Sequence, residues 1–528
     1  MELDDLSEEA RQGNVARLHD ETARSHADSL AIEHHGDRMT HAEVRDETAR
    51  IAGGLSGLGL EAGDVLLLYM PSCPAYLLGA LGAFKAGVVV SPVNPQYRSR
   101  ELAYQLEDTE ASAILTHPAL CAFVDEAAEE AGRDPLVITT GDDDGETHSF
   151  ADVRGEETFI ERDDQDVALL PYTSGTTGRP KGVQLTHRNF RAQTYSILSS
   201  ENAIPDEDVR SLIWLPLYHI TGFTHTAWQP LVRGGGLFVR SAMNWDADAC
   251  MALIEEAGIT HFVGVTAMYV DMVTSDSFGE YDLTSLEVAG EGGAKMSVTI
   301  QKEFEATAGV QMGEGYGLTE TNGATHSQSG STFGLVHGTI GQPLRMTDCK
   351  IVGHDGEELP PGEEGELLVR GPQVMKGYHN MPEATDAAFT ENGYFRTGDI
   401  ARRDENNYYE IVDRKKHMIV SAGYNVYPSE IEELLAEHEA VAEAAVVGIP
   451  DERRNEVPKA YVVARPDVEV GVDVTADDIK SFCLDNIAAY KHPRAVEFID
   501  ELPRTTSGKI QKFKLEERDE TAATEESP

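Results

Sequence analysis

From about residue 40 to residue 400, helix-period patterns alternate with short β-rich runs, and few folds accommodate such alternation. Leu77–Phe84 precedes Val88–Val90, Ala247–Ala257 precedes His261–Val265, and Val298–Ala308 precedes Val310–Gly313. Helices and strands taken in turn pack best as α/β layers, with largely parallel sheets covered by the intervening helices. At 528 residues the chain exceeds what one hydrophobic core ordinarily serves, so two or more domains are expected. Residues 355–371 (DGEELPPGEEG, then ELLVRG) read as a turn-rich β segment. No short-period repeat is present.

The texture changes after Asp399. Eight of the 14 lysines fall in the last 130 residues, against one, Lys85, in the first 170. Ser429-x-x-Glu432 ahead of Leu434 and Leu435 has the form of a capping box and predicts a helix opening at Ser429. Strands at Ala444–Val447, Ala460–Val463 and Val496–Ile499, with a helix over about Asp477–Ile487, complete a compact α+β domain. The stretch 516–528 is acidic and lacks aromatics, which predicts disorder.

The densest chemistry lies at Tyr172–Gly182. Five hydroxyls (Tyr172, Thr173, Ser174, Thr176, Thr177), glycines at 175, 178 and 182, and Lys181 fall within eleven residues. Glycines let backbone N–H groups turn toward a ligand, and hydroxyls with an ammonium complete an anion cradle. A Walker A loop needs Gly-Lys-Ser/Thr opening a helix. Here Lys181 is followed by Gly182-Val-Gln-Leu, which reads as a strand. The prediction is a phosphate clamp between two strands.

The formal net charge of −49 is spread along the whole chain, and only 14 of 43 basic residues are lysine. Phosphate backbones demand clustered Lys and Arg, so nucleic acid is excluded as a partner. In molar salt the Debye length falls to about 3 Å and self-repulsion is screened, so a halophilic cytoplasm is expected. Five cysteines stand far apart without metal-ligand spacing and read as reduced, mostly buried residues. The acidic N-terminus lacks the apolar core of a secretion signal, and the most apolar run, Tyr76 to Val93, is broken by Lys85 and three glycines. No membrane span and a cytoplasmic location are therefore expected.

As a set, the motifs resemble those of the adenylate-forming superfamily, and within it the acyl-CoA synthetases. The resemblance covers roughly residues 25–515. It is carried by TSGTTGRPKG (173–182), LPLYHITGF (215–223), GYGLTE (315–320), RTGD (396–399), DRKKHMIVSAGYNVYPSEIE (413–432) and PRTTSGKIQK (503–512). It implies a fold of two doubly wound sheet subdomains plus a small β-rich subdomain (1–412), then a mobile α+β C-terminal domain (413–515) and the acidic tail. It also implies a two-step ligase. A carboxylate attacks the α-phosphate of ATP, giving an acyl-adenylate and pyrophosphate, and the thiol of coenzyme A then displaces AMP.

The same resemblance assigns roles by position. Thr173, Ser174, Gly175, Thr176, Thr177, Gly178 and Lys181 would hold the β- and γ-phosphates. Gly292, Gly293 and Ala294 would flank the adenine, and Gly315, Tyr316 and Gly317 would form its stacking platform. Thr319 would touch the α-phosphate, and Glu320 would ligate Mg²⁺. Asp399, helped by Arg414, would accept from the ribose hydroxyls, with Ile411 beside them. His219, which alone reads as a core or surface histidine, would steer the carboxylate. Lys509, which alone reads as a solvated charge, would be the adenylation lysine, bridging carboxylate and α-phosphate. Lys416 would be the hinge, with Gly423 and Tyr424 along the coenzyme A path. Lys415, Lys491 and Arg494 are candidates for its phosphates or plain surface charges.

Leu215–Phe223 holds no aspartate for a substrate ammonium, which argues against amino acids. Asn425 tilts toward the fatty-acid type. The expected substrate is a fatty or medium-chain acid, the alternatives being an aryl-CoA ligase of coumarate or benzoate type and a catalytically silent adenylate binder. Chain length and oligomeric state stay open.

Overall fold

The computed structural model describes residues 11–142, 145, 147–173, 180–200, 208–292, 296, 298–421, 424–451, 453–466, 468–489, 491–504 and 510–525. The chain forms two compact units, residues 1–349 with 369–395 and residues 350–368 with 396–528.

Two nine-stranded sheets build the first unit. In one, Leu136–Thr139, Ala113–Thr116, Val65–Tyr69 and Val89–Val93 run parallel and side by side in that order. Chain order reverses at Val65–Tyr69, as in a doubly wound sheet. Sequences such as Val65-Leu-Leu-Leu-Tyr69 suit this place, because a parallel strand covered on both faces needs apolar side chains on both. The helix Pro74–Lys85, which includes the predicted Leu77–Phe84, starts with proline in its first turn and is buried along its length.

In the other sheet, Leu30–His34, Gly236–Val239, Arg210–Ile213, His261–Gly264, Val288–Gly292 and Met312–Leu318 are parallel neighbours. The helices Ala247–Ala257 and Val298–Ala308 lie where their periodicity placed them. Their core joins Met251, Ile254, Phe262, Tyr269, Phe304 and Met312.

Among the buried histidines of this unit are His41, His187, His261 and His326. Burial is the leading cause that lowers their pKa, to about 4 for His41 and about 3 for the other three. A histidine held neutral binds fewer protons folded than unfolded. Stability is therefore intact above the free value near 6.5 and is lost as pH falls from there toward the depressed values. Each group contributes up to about 1.4 kcal/mol per pH unit in that window. Protonating carboxylates relieves self-repulsion over the same range and opposes this loss. The thermal midpoint is expected to drop steadily from pH 6.5 to 4 at fixed salt; a rise on acidification would show that repulsion dominates.

The second unit contains most of a four-stranded sheet, Asp348–Val352, Gly365–Arg370, Phe395–Arg403 and Tyr409–Arg414. It also contains a five-stranded sheet, in which Val441–Asp451 and Asn455–Ala464 pair over most of their length and Ala495–Phe498 adds in parallel. The helix Ala476–Asn486 opens with a true capping box, Thr475 with Asp478.

Two expectations need correction. The helix at the RKKHMIVSAGYNVYPSEIE motif begins at Pro428, one residue early, and has no capping box. Proline at the first helical position sets its start, which frees Ser429 and Glu432 for tertiary bonds. Ser429 donates through N to Asp413 Oδ2 (3.0 Å) and through Oγ to Val412 O (2.5 Å). Glu432 accepts from Val446 N and pairs with Lys512. The acidic tail, for its part, enters a helix, Lys512–Glu525. Composition alone hid its anchors: Leu515 is buried beside Tyr461, and Asp519 and Arg518 pair with Lys459 and Glu497.

Candidate active site

Two paired strands flank the segment Tyr172–Gly182, as its sequence predicts. Tyr172–Thr173 pairs antiparallel with Lys181–Thr186, Thr173 opposite Lys181 and Tyr172 opposite Gly182. The loop itself, with Ser174, Gly175, Thr176, Thr177 and Gly178, lies outside the described residues. Its base is held firmly. Tyr172 donates to Asp108 Oδ2 (2.5 Å), and Tyr104 donates to Pro180 O (2.8 Å). Burial and the Asp108 carboxylate push the Tyr172 pKa up, so the phenol stays a donor. A Cβ at Gly182 would stand 2.9 Å from Tyr172 Cζ and press on that anchored ring.

Lys181 and Glu320 are linked by a residue that the sequence did not suggest. The Lys181 ammonium lies 4.7 Å from the ring centroid of Tyr378, and the Tyr378 hydroxyl donates to Glu320 Oε1 at 2.9 Å. Tyr378 belongs to the short strand Gly377–Tyr378, paired antiparallel with Lys181–Thr186. Thr319 and Glu320 form the 3₁₀ turn Thr319–Thr321 that ends the strand Met312–Leu318, and Met375 N donates to Glu320 O at 2.8 Å. Glu320 is a single, partly exposed carboxylate with an oxygen left to offer. Mg²⁺ is ordinarily held by one or two carboxylates with phosphate oxygens and water, and among the described residues no cluster of three metal-ligating side chains exists. The donor set fits Mg²⁺ bound together with a nucleotide.

Adjacent strands place glycine beside glycine: Gly290 opposite Gly313 and Gly292 opposite Gly315, with buried Glu291 opposite Glu314 between them. Side chains alternate along a strand, so the glycines share one sheet face. A Cβ on Gly292 or Gly315 would meet only backbone oxygen, at 3.6 and 3.7 Å, whereas one on Gly317 would strike Gly323 O at 2.0 Å. Tyr316, next along, stands opposite His326 with ring centroids 5.8 Å apart. Gly293 and Ala294 lie outside the described residues.

His219 precedes the π-helix Thr221–Trp228, a geometry often found at functional sites. Its N–H donates to Pro216 O, its carbonyl accepts from Phe223 N, and its ring lies 4.6 Å from that of Tyr218. Close packing fixes this turn: a Cβ on Gly222 would meet Pro216 O at 2.1 Å. Phe223 packs edge-on against Tyr76 and Phe84.

The second unit brings Asp399 and Arg414 together. They are opposite one another in an antiparallel pair, and Arg414 Nε is 2.8 Å from Asp399 Oδ1. Asp399 is 1% exposed and takes a backbone-to-hydroxyl support, its N–H donating to Thr397 Oγ1 at 3.1 Å. Ile411 sits on the same hairpin, opposite Ala401. Partial burial, then the Arg414 charge, draws the Lys416 pKa down to about 8. Lys415 and Lys491 are already paired, with Glu366 (3.0 Å) and Glu430 (2.6 Å), while Arg494 contacts His492. Tyr424 opens a short strand opposite Ser421. Gly423 and Lys509 lie outside the described residues; Arg504 and Ile510 bridge antiparallel on either side of the latter.

Comparison with known proteins bears on the same residues. The family model for AMP-binding enzymes matches residues 19–379, and that for the AMP-binding enzyme C-terminal domain matches residues 430–509. A feruloyl-CoA synthase of Amycolatopsis sp is 36% identical over 94% of this chain and 97% of its own. A long-chain-fatty-acid–CoA ligase of Bacillus subtilis (strain 168) is 33% identical over 94% of this chain and 93% of its own. The crystal structure of an anthranilate CoA ligase in complex with anthranoyl-AMP superposes with a TM-score of 0.89 at 25% identity, covering 99% of this chain and 100% of that one. With matches of this extent in both parts of the chain, the protein belongs to the AMP-binding enzymes of the adenylate-forming superfamily.

Proposed function

We propose that the protein joins a carboxylic acid to coenzyme A in two steps, and that the acid is a fatty or medium-chain one. The observation that carries the reading is the pairing of an anchored phosphate loop with a single carboxylate, Lys181 and Glu320 joined through Tyr378, in a chain of this family. Carboxylate oxygen is a poor leaving group, so it is first exchanged for phosphate. Most of the catalysis in that step is positioning and charge neutralisation.

Each residue then has a task. The clamp from Thr173 to Lys181 holds the β- and γ-phosphates, Tyr316 stacks on adenine over the glycine-lined face, and Thr319 donates to the α-phosphate. Asp399 accepts from the ribose hydroxyls while Arg414 keeps it charged and aimed. His219 orients the incoming carboxylate, and Lys509 meets the charge that develops as oxygen attacks phosphorus. Mg²⁺ held by Glu320 would neutralise phosphate charge. Lys416 serves as the hinge for the second step, and Gly423 with Tyr424 borders the thiol's approach.

Support for an aliphatic substrate comes from the fatty-acid ligase of Bacillus subtilis and from Asn425. A second reading, an aromatic acid, is favoured by the feruloyl-CoA synthase at 36% identity. Among the described residues no helix is long and apolar enough to cross a membrane, which supports our reading of a cytoplasmic enzyme. The charge of −49 supports work in concentrated salt.

A panel of acids assayed for AMP release with ATP and coenzyme A in molar KCl tests both points. Medium- and long-chain acids are expected to give the highest kcat/KM, and activity is expected to vanish reversibly in dilute buffer. Higher kcat/KM for ferulate or benzoate would give the aromatic reading, and full activity without salt would remove the halophilic one.

A further inference from the structure

Lys181 and Glu320 carry opposite charges to the same phosphate chain on the reading above, on which the following rests. Two such groups placed in contact would neutralise one another. Here they are kept apart by a neutral ring: Lys181 meets the face of Tyr378 (4.7 Å to the centroid), and Glu320 Oε1 accepts from its hydroxyl (2.9 Å). We propose that Tyr378 is a positioning residue for the nucleotide–metal site, its hydroxyl aiming the Glu320 carboxylate and its ring seating the Lys181 ammonium.

Three features of the fold make this a fixed placement. Tyr378 stands opposite Val183 in the antiparallel pair that also carries Lys181, so ring and ammonium share one strand ladder. Its backbone N–H donates to Thr385 Oγ1 at 2.9 Å, and the next residue's N–H, that of His379, donates to Gly182 O at 2.7 Å. Glu320 is tied to the same segment, because Met375 N donates to its carbonyl. The aromatic face attracts the ammonium without consuming any of its three N–H donors. The hydroxyl occupies one lone pair of one carboxylate oxygen and leaves the rest of the group available. A residue that orients a metal-binding carboxylate in this way typically influences affinity by 10- to 100-fold.

The test uses the full-length protein and its variants Tyr378→Phe, Tyr378→Leu, Glu320→Gln and the Tyr378→Phe/Glu320→Gln double variant. Mn²⁺ binding is followed by electron paramagnetic resonance with a non-hydrolysable ATP analogue, and binding of the analogue alone by calorimetry in EDTA. Tyr378→Phe keeps the ring and the strand. It is expected to weaken Mn²⁺ binding about tenfold while metal-free nucleotide affinity stays within about twofold. Tyr378→Leu is expected to weaken metal-free binding as well, since Lys181 loses its seat. In the Glu320→Gln background, Tyr378→Phe is expected to change nothing further. Unaltered Mn²⁺ affinity in Tyr378→Phe, or an equal loss in both backgrounds, would overturn the proposal. Loss of thermal stability in Tyr378→Leu would not rescue it, because the Phe variant alone decides. Absence of acid-dependent pyrophosphate exchange in the unaltered protein would defeat the ligase reading and leave the Mn²⁺ cycle to judge Tyr378 separately.

Discussion

Lys509→Ala is expected to lower acyl-adenylate formation by about 10²- to 10³-fold, the usual effect of losing one positioned donor at a developing charge. Thioester formation from synthetic acyl-AMP and coenzyme A is expected to proceed at close to the normal rate. The asymmetry follows from the charges. In the first step a carboxylate and a triphosphate, both anionic, must approach, and an ammonium between them lowers the repulsion only while phosphorus is under attack. In the second step the thiolate meets a carbonyl already activated by its phosphate leaving group, and that lysine has no charge of its own to neutralise. Pyrophosphate exchange measures the first step and thioester release the second. Equal loss of both, with the thermal midpoint unchanged, would mean that position 509 acts through structure or through coenzyme A instead.

Asp399→Asn is expected to cost roughly 10²-fold in kcat/KM for ATP and to abolish preference for ATP over 2′-deoxy-ATP. Asp399 is almost fully buried with a guanidinium at 2.8 Å, so its charge is kept and its lone pairs are directed. Hydrogen bonds to an ionised acceptor contribute about 1.5–3 kcal/mol each and are roughly twice as strong as neutral ones. Exchanging the carboxylate for an amide forfeits one acceptor oxygen and the charge on the other, about 3 kcal/mol in all. The discrimination between the two nucleotides is the sharper readout, since a merely destabilised fold would bind both worse in proportion. Unimpaired discrimination would place the ribose elsewhere.

The layered architecture was legible because it rests on local periodicity. Ala247–Ala257 and Val298–Ala308 are amphipathic at helical spacing, and Val65–Tyr69 is apolar throughout, as a doubly covered parallel strand must be. The strands flanking the Tyr172–Gly182 segment were legible for a related reason: the run Gly182-Val-Gln-Leu after Lys181 reads as a strand where a Walker loop requires a helix. What stayed hidden depends on residues far apart in the chain. Tyr378 follows Lys181 by almost two hundred positions, and nothing near it marks it as more than an ordinary strand tyrosine. Ser429 and Glu432 have the spacing of a cap, but Pro428 preempts it and both side chains turn to distant partners. The acidic stretch 516–528 has a composition that favours disorder, and the anchors of the helix that runs into it, buried Leu515 and the pairs of Asp519 and Arg518 with Lys459 and Glu497, lie far off in the chain. Local propensity is read from a window; tertiary partners are not.

The pairing of Val183 with Tyr378 has a consequence for synthesis on the ribosome. The edge of that sheet is completed by a segment translated long after the clamp itself. At about 5–20 residues per second, the newborn polypeptide spends on the order of ten to forty seconds with Lys181 made and its aromatic seat not yet in existence. For that interval a nascent chain carries Lys181 without the aromatic ring on which its ammonium rests in the folded protein.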